Sequence, residues 1–196
     1  LDLANIPYVG AGVLGSALGM DKVVQKQVFE RIGLPVTEYR AFLFKEYRRA
    51  PRMWIREVEK AFSYPCFVKP ANLGSSVGIT KAHSREELQK GIREAARYDR
   101  KILVERSIEN AREIECSVLG NDEPRASVLG EIIPSNEFYD YEAKYIDGKS
   151  QIIIPAKLPA RVTKKIRDIA VKAFRAIDCS GMARVDFLVT RNRYKI

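Results

Sequence analysis

Seven apolar residues, Val162, Ile166, Ile169, Ala170, Ala173, Phe174 and Ile177, recur three and four apart along one stretch of the chain. The spacing predicts a helix over 161–178 with one continuous apolar stripe, and such a stripe has to be covered by a packed neighbour. The flanking segments supply one. "REIECSVLG", "RASVLGEII" and "MARVDFLV" are short, rich in β-branched and alternating apolar residues, and read as strands. A helix laid on a sheet is the unit to expect here.

The first half alternates in the same way. "IPYVGAGVLGSALGM" reads as a Gly-rich connection leading to Asp21, an N-cap for a helix from about Lys22 to Ile32 that Gly33 closes. "VTEYRAFLF" reads as a strand, and Trp54, Val58, Ala61 and Phe62 recur at helical spacing. "CFVKP" is a strand that stops at Pro70, with "GITKA" as its hairpin partner. Ser84 and Glu87 form a capping box before a helix carrying Leu88, Ile92 and Ala95 on one face, and "KILVER" is the next strand. The fold class is α+β, built of two α/β units that meet near residues 100–106, and a cleft between such units is a common place for a small ligand.

A formal charge of +9 is compatible with nucleic acid, a membrane surface or an anionic small molecule. Lys and Arg are scattered among 25 acidic residues rather than clustered with aromatics, which argues against a nucleic-acid partner. The apolar run from Ile6 to Leu18 is too short to span a bilayer and lacks the basic start of a signal peptide. Cys66, Cys116 and Cys179 are odd in number and far apart, as buried reduced thiols of a cytoplasmic protein are. The chain opens on Leu1 rather than Met and stops at "RYKI" in what reads as mid-strand, so both ends of a longer protein are expected to lie outside it. His83, the single histidine, sits at a strand-to-helix turn and reads as a surface residue. Histidine-based catalysis is a poor expectation, and phosphoryl chemistry run by Lys, Arg, carboxylates and a metal remains.

Three segments carry that chemistry. Between two apolar stretches, "FVKPANLGSSVGI" holds the turn Gly74, Ser75, Ser76, Val77 and Gly78, whose backbone amides and hydroxyls suit a phosphate cradle; a plain hairpin turn favours the same residues. Lys69 stands inside its apolar strand, where a lysine is rare unless its charge finds a partner or its head reaches water. "SNEFYDYEAKYIDGKS" crowds aromatics with Asp140, Glu142 and Lys144, as a lid or an exposed hairpin does. In "GMARVDFLV", Arg184 and Asp186 are two apart on a strand and share a face. The carboxylate there suits Mg²⁺ and the Arg an anionic substrate, although a salt bridge on a sheet face uses the same pair.

Taken together, "GMDK", "FVKPANLGSSVGI", "VERSIENAREIECSVLG", "FYDYEAKY" and "GMARVDF", in this order and spacing, resemble the D-alanine-D-alanine ligases of the ATP-grasp superfamily over essentially the whole chain. The resemblance implies an ATP-grasp fold of two α/β subdomains with the nucleotide cleft between them. Residues 1–20 would end an N-terminal domain and its connection, 21–105 the central subdomain and 106–196 an incomplete C-terminal one. It implies a cytoplasmic enzyme of peptidoglycan synthesis, a homodimer using ATP and Mg²⁺ or Mn²⁺, that phosphorylates one D-alanine carboxylate before the amine of a second attacks.

Carried over by position, Lys22 and Lys69 match the lysines that reach the ATP phosphates, and Gly74, Ser75, Ser76 and Val77 the loop that closes over them. Glu105 falls where a hinge carboxylate and backbone meet adenine, with Arg106 and Ile108 lining that pocket and Glu113 on the ribose. The aromatic segment matches a loop over the site, with Phe138 among the nucleotide contacts. Lys144 would contact the γ-phosphate, and Tyr145 would bond toward Ser75 beside the first D-alanine. A tyrosine there accompanies D-alanine as second substrate, a phenylalanine D-lactate. Arg184 would stabilise the tetrahedral intermediate and Asp186 would hold Mg²⁺. The family's other metal ligands and its first-substrate acid fall beyond the two ends of the sequence, so residues 1–196 alone are expected to be inactive. The competing readings are another ATP-grasp ligase, including D-lactate or D-serine variants, and a non-catalytic basic module that binds nucleic acid.

Overall fold

A computed structural model describes residues 1–134, 150–191 and 193–196. After a single 3-10 turn at Asp2–Ala4, helix α1 runs over Val13–Met20, inside the segment expected to be a Gly-rich connection. Its glycine serves close approach rather than looseness: a Cβ on Gly15 would lie 3.0 Å from the Cys179 Cα and 3.1 Å from the Asp178 carbonyl oxygen. Helix α2, Lys22–Arg31, begins where the sequence indicates, because the Asp21 carboxylate accepts from the Val23 and Val24 amides at 3.0 and 3.1 Å.

Strand β1 is confined to Tyr39–Leu43, shorter than "VTEYRAFLF" suggested. The Glu46 carboxylate accepts from the Leu43 amide at 3.0 Å and starts helix α3, Phe44–Arg49, before Pro51 opens helix α4, Pro51–Ala61. Strands β2, Cys66–Pro70, and β3, Thr80–Ala82, pair as the expected hairpin. Helix α5, Arg85–Ala95, follows Ser84, whose hydroxyl accepts from the Glu87 amide at 3.2 Å; the Glu87 carboxylate takes the His83 amide at 2.8 Å, one residue earlier than a capping box requires. Strand β4, Lys101–Arg106, completes an antiparallel sheet of order β1-β4-β2-β3. One face of it, with Phe42, Cys66, Val68, Ile102 and Val104, packs on Ile55 and Val58 of α4 and Leu88 and Ile92 of α5. The other face places Leu103 against Val23, so α2 covers it.

The second sheet has the order β7-β6-β5-β8-β9. Its strands are β5, Arg112–Leu119, β6, Arg125–Ile133, β7, Gln151–Ile153, β8, Met182–Val189, and β9, Tyr194–Lys195. Helix α6, Ala160–Ala176, presses Ile166, Ile169, Ala170, Ala173 and Phe174 onto Ile114, Cys116, Val118 and Phe187. Phe29 of α2 joins this core while Val23 joins the other, so α2 is a wedge shared by the two sheets. Alternate residues on β5 and β8 point away from α6, which turns Glu113, Glu115, Arg184 and Asp186 outward. Among the described residues no helix is long and apolar enough to cross a membrane, and all three cysteines are unpaired and buried.

The stripe of α6 carries a stability prediction. Phe174→Ala removes a ring that is 1% exposed and is expected to cost about 3–5 kcal/mol in urea denaturation, whereas Lys164→Ala on the exposed face stays within about 0.5 kcal/mol. Equal effects from both substitutions would contradict this packing.

Candidate functional site

Lys22 and Lys26 are four apart on α2 and share the face turned toward the first sheet. On that sheet Glu105 stands directly between Phe67 of β2 and Tyr39 of β1. Glu105 is 7% exposed, with Lys26 Nζ 2.6 Å from Oε1 and Lys69 Nζ bonded to Oε2. Burial alone would raise the Glu105 carboxyl; the ammoniums of Lys69 and Lys26 outweigh it and hold it down at about 2. The lysine whose charge an apolar strand does not accommodate unpaired thus has its partner. Sequence reasoning missed Lys26, and its spacing from Lys22 was the available signal.

Lys22 stands at the foot of the Gly74–Gly78 turn. Its amide donates to the Ala71 carbonyl at 3.0 Å, and its ammonium to the carbonyls of Pro70, Ala71 and Leu73. Asp99 grips Asn72 through both the backbone and side-chain nitrogens at 2.8 Å, and Lys101 binds Asp21, so the turn rises from an anchored base. Burial first, then the charge of Lys69, lower the Lys22 ammonium to about 8. In the turn itself the Val77 amide donates to the Gly74 carbonyl at 3.2 Å, and Ser75 and Ser76 have φ of 55° and 59°. Two consecutive left-handed residues are what a type I′ turn demands, and serine meets that demand less easily than glycine or asparagine.

The second sheet forms the facing wall. Arg184 donates to Asp186 through Nε and Nη2 at 2.7 and 3.0 Å, and its Nη2 lies 3.3 Å from Glu115 Oε1. The salt bridge that the sequence allowed is therefore present, yet the side chains of Arg184 and Asp186 remain 52% and 59% exposed. Glu115, paired directly with Asp186 across the ladder, was also missed, although it lies two residues after Glu113 on the same strand face. Asp186 and Glu115 offer hard oxygen donors that suit Mg²⁺, and the guanidinium between them occupies the position of a cation. Among the described residues no group of three or more His, Cys, Asp and Glu is placed to hold a metal ion.

A cavity of about 410 Å³ joins the walls. Of the residues singled out in the sequence, Lys22, Lys69, Ser76, Glu105, Arg106, Glu113, Arg184 and Asp186 line it, with Lys26 and Glu115. Gly74, Ser75 and Val77 belong to the turn but do not line the cavity, and Ile108 lines a neighbouring one of about 540 Å³. Phe138, Lys144 and Tyr145 lie outside the described residues.

The sequence model of the D-ala D-ala ligase C-terminus family matches residues 28–195. The chain belongs to this family. It is 56% identical over 195 residues to the D-alanine-D-alanine ligase of Acetivibrio thermocellus, covering 100% of this chain and 52% of that protein. It is 54% identical over 192 residues to the protein of the same name from Bacillus velezensis, covering 98% and 54%. Among solved structures, the D-alanine-D-alanine ligase from Coxiella burnetii superposes with a TM-score of 0.80 at 37% identity, over 100% of this chain and 51% of that one. The VanG D-Ala:D-Ser ligase from Enterococcus faecalis gives 0.84 at 38%, over 97% and 54%. The chain thus spans about half the length of the curated relatives it matches. The two sheets facing each other across a cleft are the ATP-grasp arrangement of this family.

The Glu105 cluster sets a pH-dependent contribution to stability. Because its folded carboxyl titrates at about 2, below the ordinary 4.5, the stabilisation is present above about pH 4.5 and is lost as pH falls toward 2. Glu105→Gln is expected to cost about 3–5 kcal/mol at pH 7 by denaturant titration, because it leaves Lys26 buried without a counter-charge, and the gap should shrink across that acid window. A gap that is constant from pH 7 to 2 would contradict the ion cluster.

Proposed function

We propose that the intact protein is an ATP-dependent ligase that joins two D-alanines through an acyl phosphate for peptidoglycan synthesis. The observation that carries this reading is the meeting, in one cavity, of Lys22, Lys69 and Glu105 on one wall with Arg184 and Asp186 on the other, in a chain of this family. Transfer of the γ-phosphoryl group to a D-alanine carboxylate gives the acyl phosphate and ADP. Attack by the amine of the second D-alanine then forms the amide and expels phosphate. The substrates supply both nucleophiles, so the protein's task is to hold and stabilise negative charge.

In this reading Lys22 and Lys69 bind the phosphates beneath the Gly74, Ser75, Ser76 and Val77 turn. Glu105, with the backbone of Arg106 and Ile108, receives adenine, and Glu113 binds the ribose. Arg184 stabilises the oxyanion of the tetrahedral intermediate. Lys144 on the γ-phosphate, Tyr145 toward Ser75 and Phe138 at the nucleotide complete the site from the segment 135–149, which excludes water from the acyl phosphate. Asp186, with Glu115 beside it, would hold Mg²⁺ or Mn²⁺, which neutralises phosphate charge when bound. Arg184 has to release Asp186 for either role, and both side chains are exposed enough to do so. A cytoplasmic location is supported by the three buried thiols, and the homodimer implied by the family resemblance is checked by native mass.

The deciding experiment is ADP release from ATP and Mg²⁺ by the intact protein, with and without D-alanine. Strict D-alanine dependence is expected, with kcat lowered by about 10²–10³ in Arg184→Ala. Bound ATP without D-alanine-dependent turnover would reject the substrate, and turnover with D-serine or D-lactate instead would assign it to those variants. The Lys22 ammonium adds a pH signature. As its folded value is about 8, MgATP affinity should fall about tenfold per pH unit above that point. Lys22→Met should bind about ten- to a hundredfold more weakly at pH 7 and lack the alkaline decline. An alkaline decline that survives the substitution would assign it to another group.

A further inference from the structure

Glu105 has two oxygens and two lysines, and the lysines are not equivalent. Lys26 approaches from α2 with a side chain 9% accessible, donates to the Thr37 carbonyl at 3.4 Å, and lies 5.5 Å from the centre of the Tyr39 ring. It borders the same cavity but is the more deeply buried of the two lysines. Lys69 approaches from β2 with a side chain 23% accessible and opens onto the cavity beside Phe67 and Ser76. Lys69, the more accessible and less held of the two, is the one placed to move between the carboxylate and a ligand. Its departure would leave a buried carboxylate, which without another cation takes up a proton.

We propose that Lys26 is a positioning residue for nucleotide binding: it keeps Glu105 ionised and stationary, so that Lys69 can leave that carboxylate for the phosphates. The inference rests on the nucleotide reading of the cleft given above. The vacated Oε2 then becomes the acceptor for the exocyclic amine of adenine, so one exchange arms both the phosphate end and the base end of the cleft. The other groups facing the cluster do not replace Lys26. Lys22 points to the carbonyls under the turn and, in the nucleotide reading, to the phosphates rather than to Glu105; Glu30 of α2 is acidic and accepts from the Tyr39 hydroxyl at 3.2 Å, and Arg106 turns away to Glu38 at 3.0 Å.

The test is calorimetric titration of the intact protein with MgATP at pH 6.5 in two buffers of different ionisation enthalpy, which reads affinity and protons taken up together. Lys26→Met is expected to bind about tenfold or more weakly and to take up about one proton more per nucleotide than wild type, because Glu105 protonates when Lys69 departs. Lys26→Arg should restore both quantities, and Lys26→Met with Glu105→Gln should abolish the additional proton. A merely structural lysine would lower the melting temperature of Lys26→Met and leave the proton count unchanged, and that result overturns the proposal. If Lys26→Met does not fold, Lys26→Gln, which keeps a hydrogen-bond donor without the charge, carries the same expectations. Wild-type protein that binds no nucleotide would overturn the function reading itself. Wild-type binding with unaltered Lys26 variants would overturn this inference alone.

Discussion

A carboxylate shut away from water stays ionised only if cations face it, and Glu105 meets that condition through Lys26 and Lys69. The three residues come from α2, β2 and β4, so one buried charge ties together the elements that form a wall of the cleft. Helix α2 also delivers Phe29 to the core beneath the second sheet. The spacing between the two walls is therefore coupled to the ion cluster through a single ten-residue helix. Exchange of Lys69 between carboxylate and phosphate changes the charge balance of the wall without displacing the helix, as long as Lys26 holds its place.

The opposite wall is built on a different principle. Arg184, Asp186 and Glu115 are neighbours on adjacent antiparallel strands, fixed by the Glu115↔Asp186 register rather than by burial. Their side chains remain accessible, and the Arg184 guanidinium stands between the two carboxylates that the proposed metal would need. The enclosed wall suits tight, preformed recognition of a nucleotide. The open wall suits groups that must change partners as charge moves from phosphate to oxyanion.

What the sequence made legible is local. The α6 stripe, the Asp21 cap, the stop of β2 at Pro70 and its hairpin with β3 depend on residues close together in the chain. The glycines of α1 misled because Gly15 serves contact with Asp178 and Cys179, far away in sequence. The end of β1 at Leu43 depended on Glu46 accepting from the Leu43 amide, a helix start at which the N-cap residue itself is apolar and gives no signal. In the site, only the family resemblance drew attention to Lys22. Lys26 and Glu115 escaped because spacing put them on the faces of Lys22 and Glu113 without showing the partners that make them matter, Glu105 for Lys26 and Arg184 for Glu115. Lys144 and Tyr145 lie outside the described residues, so their roles rest on the resemblance alone.

The most direct measurement is a crystal structure of the intact protein with a non-hydrolysable ATP analogue. The account predicts phosphates between Lys22 and Lys69, Lys69 Nζ withdrawn from Glu105, Lys26 still bonded to Oε1, and the adenine amine on the vacated oxygen. A nucleotide seated elsewhere, or one bound in the cleft while Lys69 remains on Glu105, would contradict it.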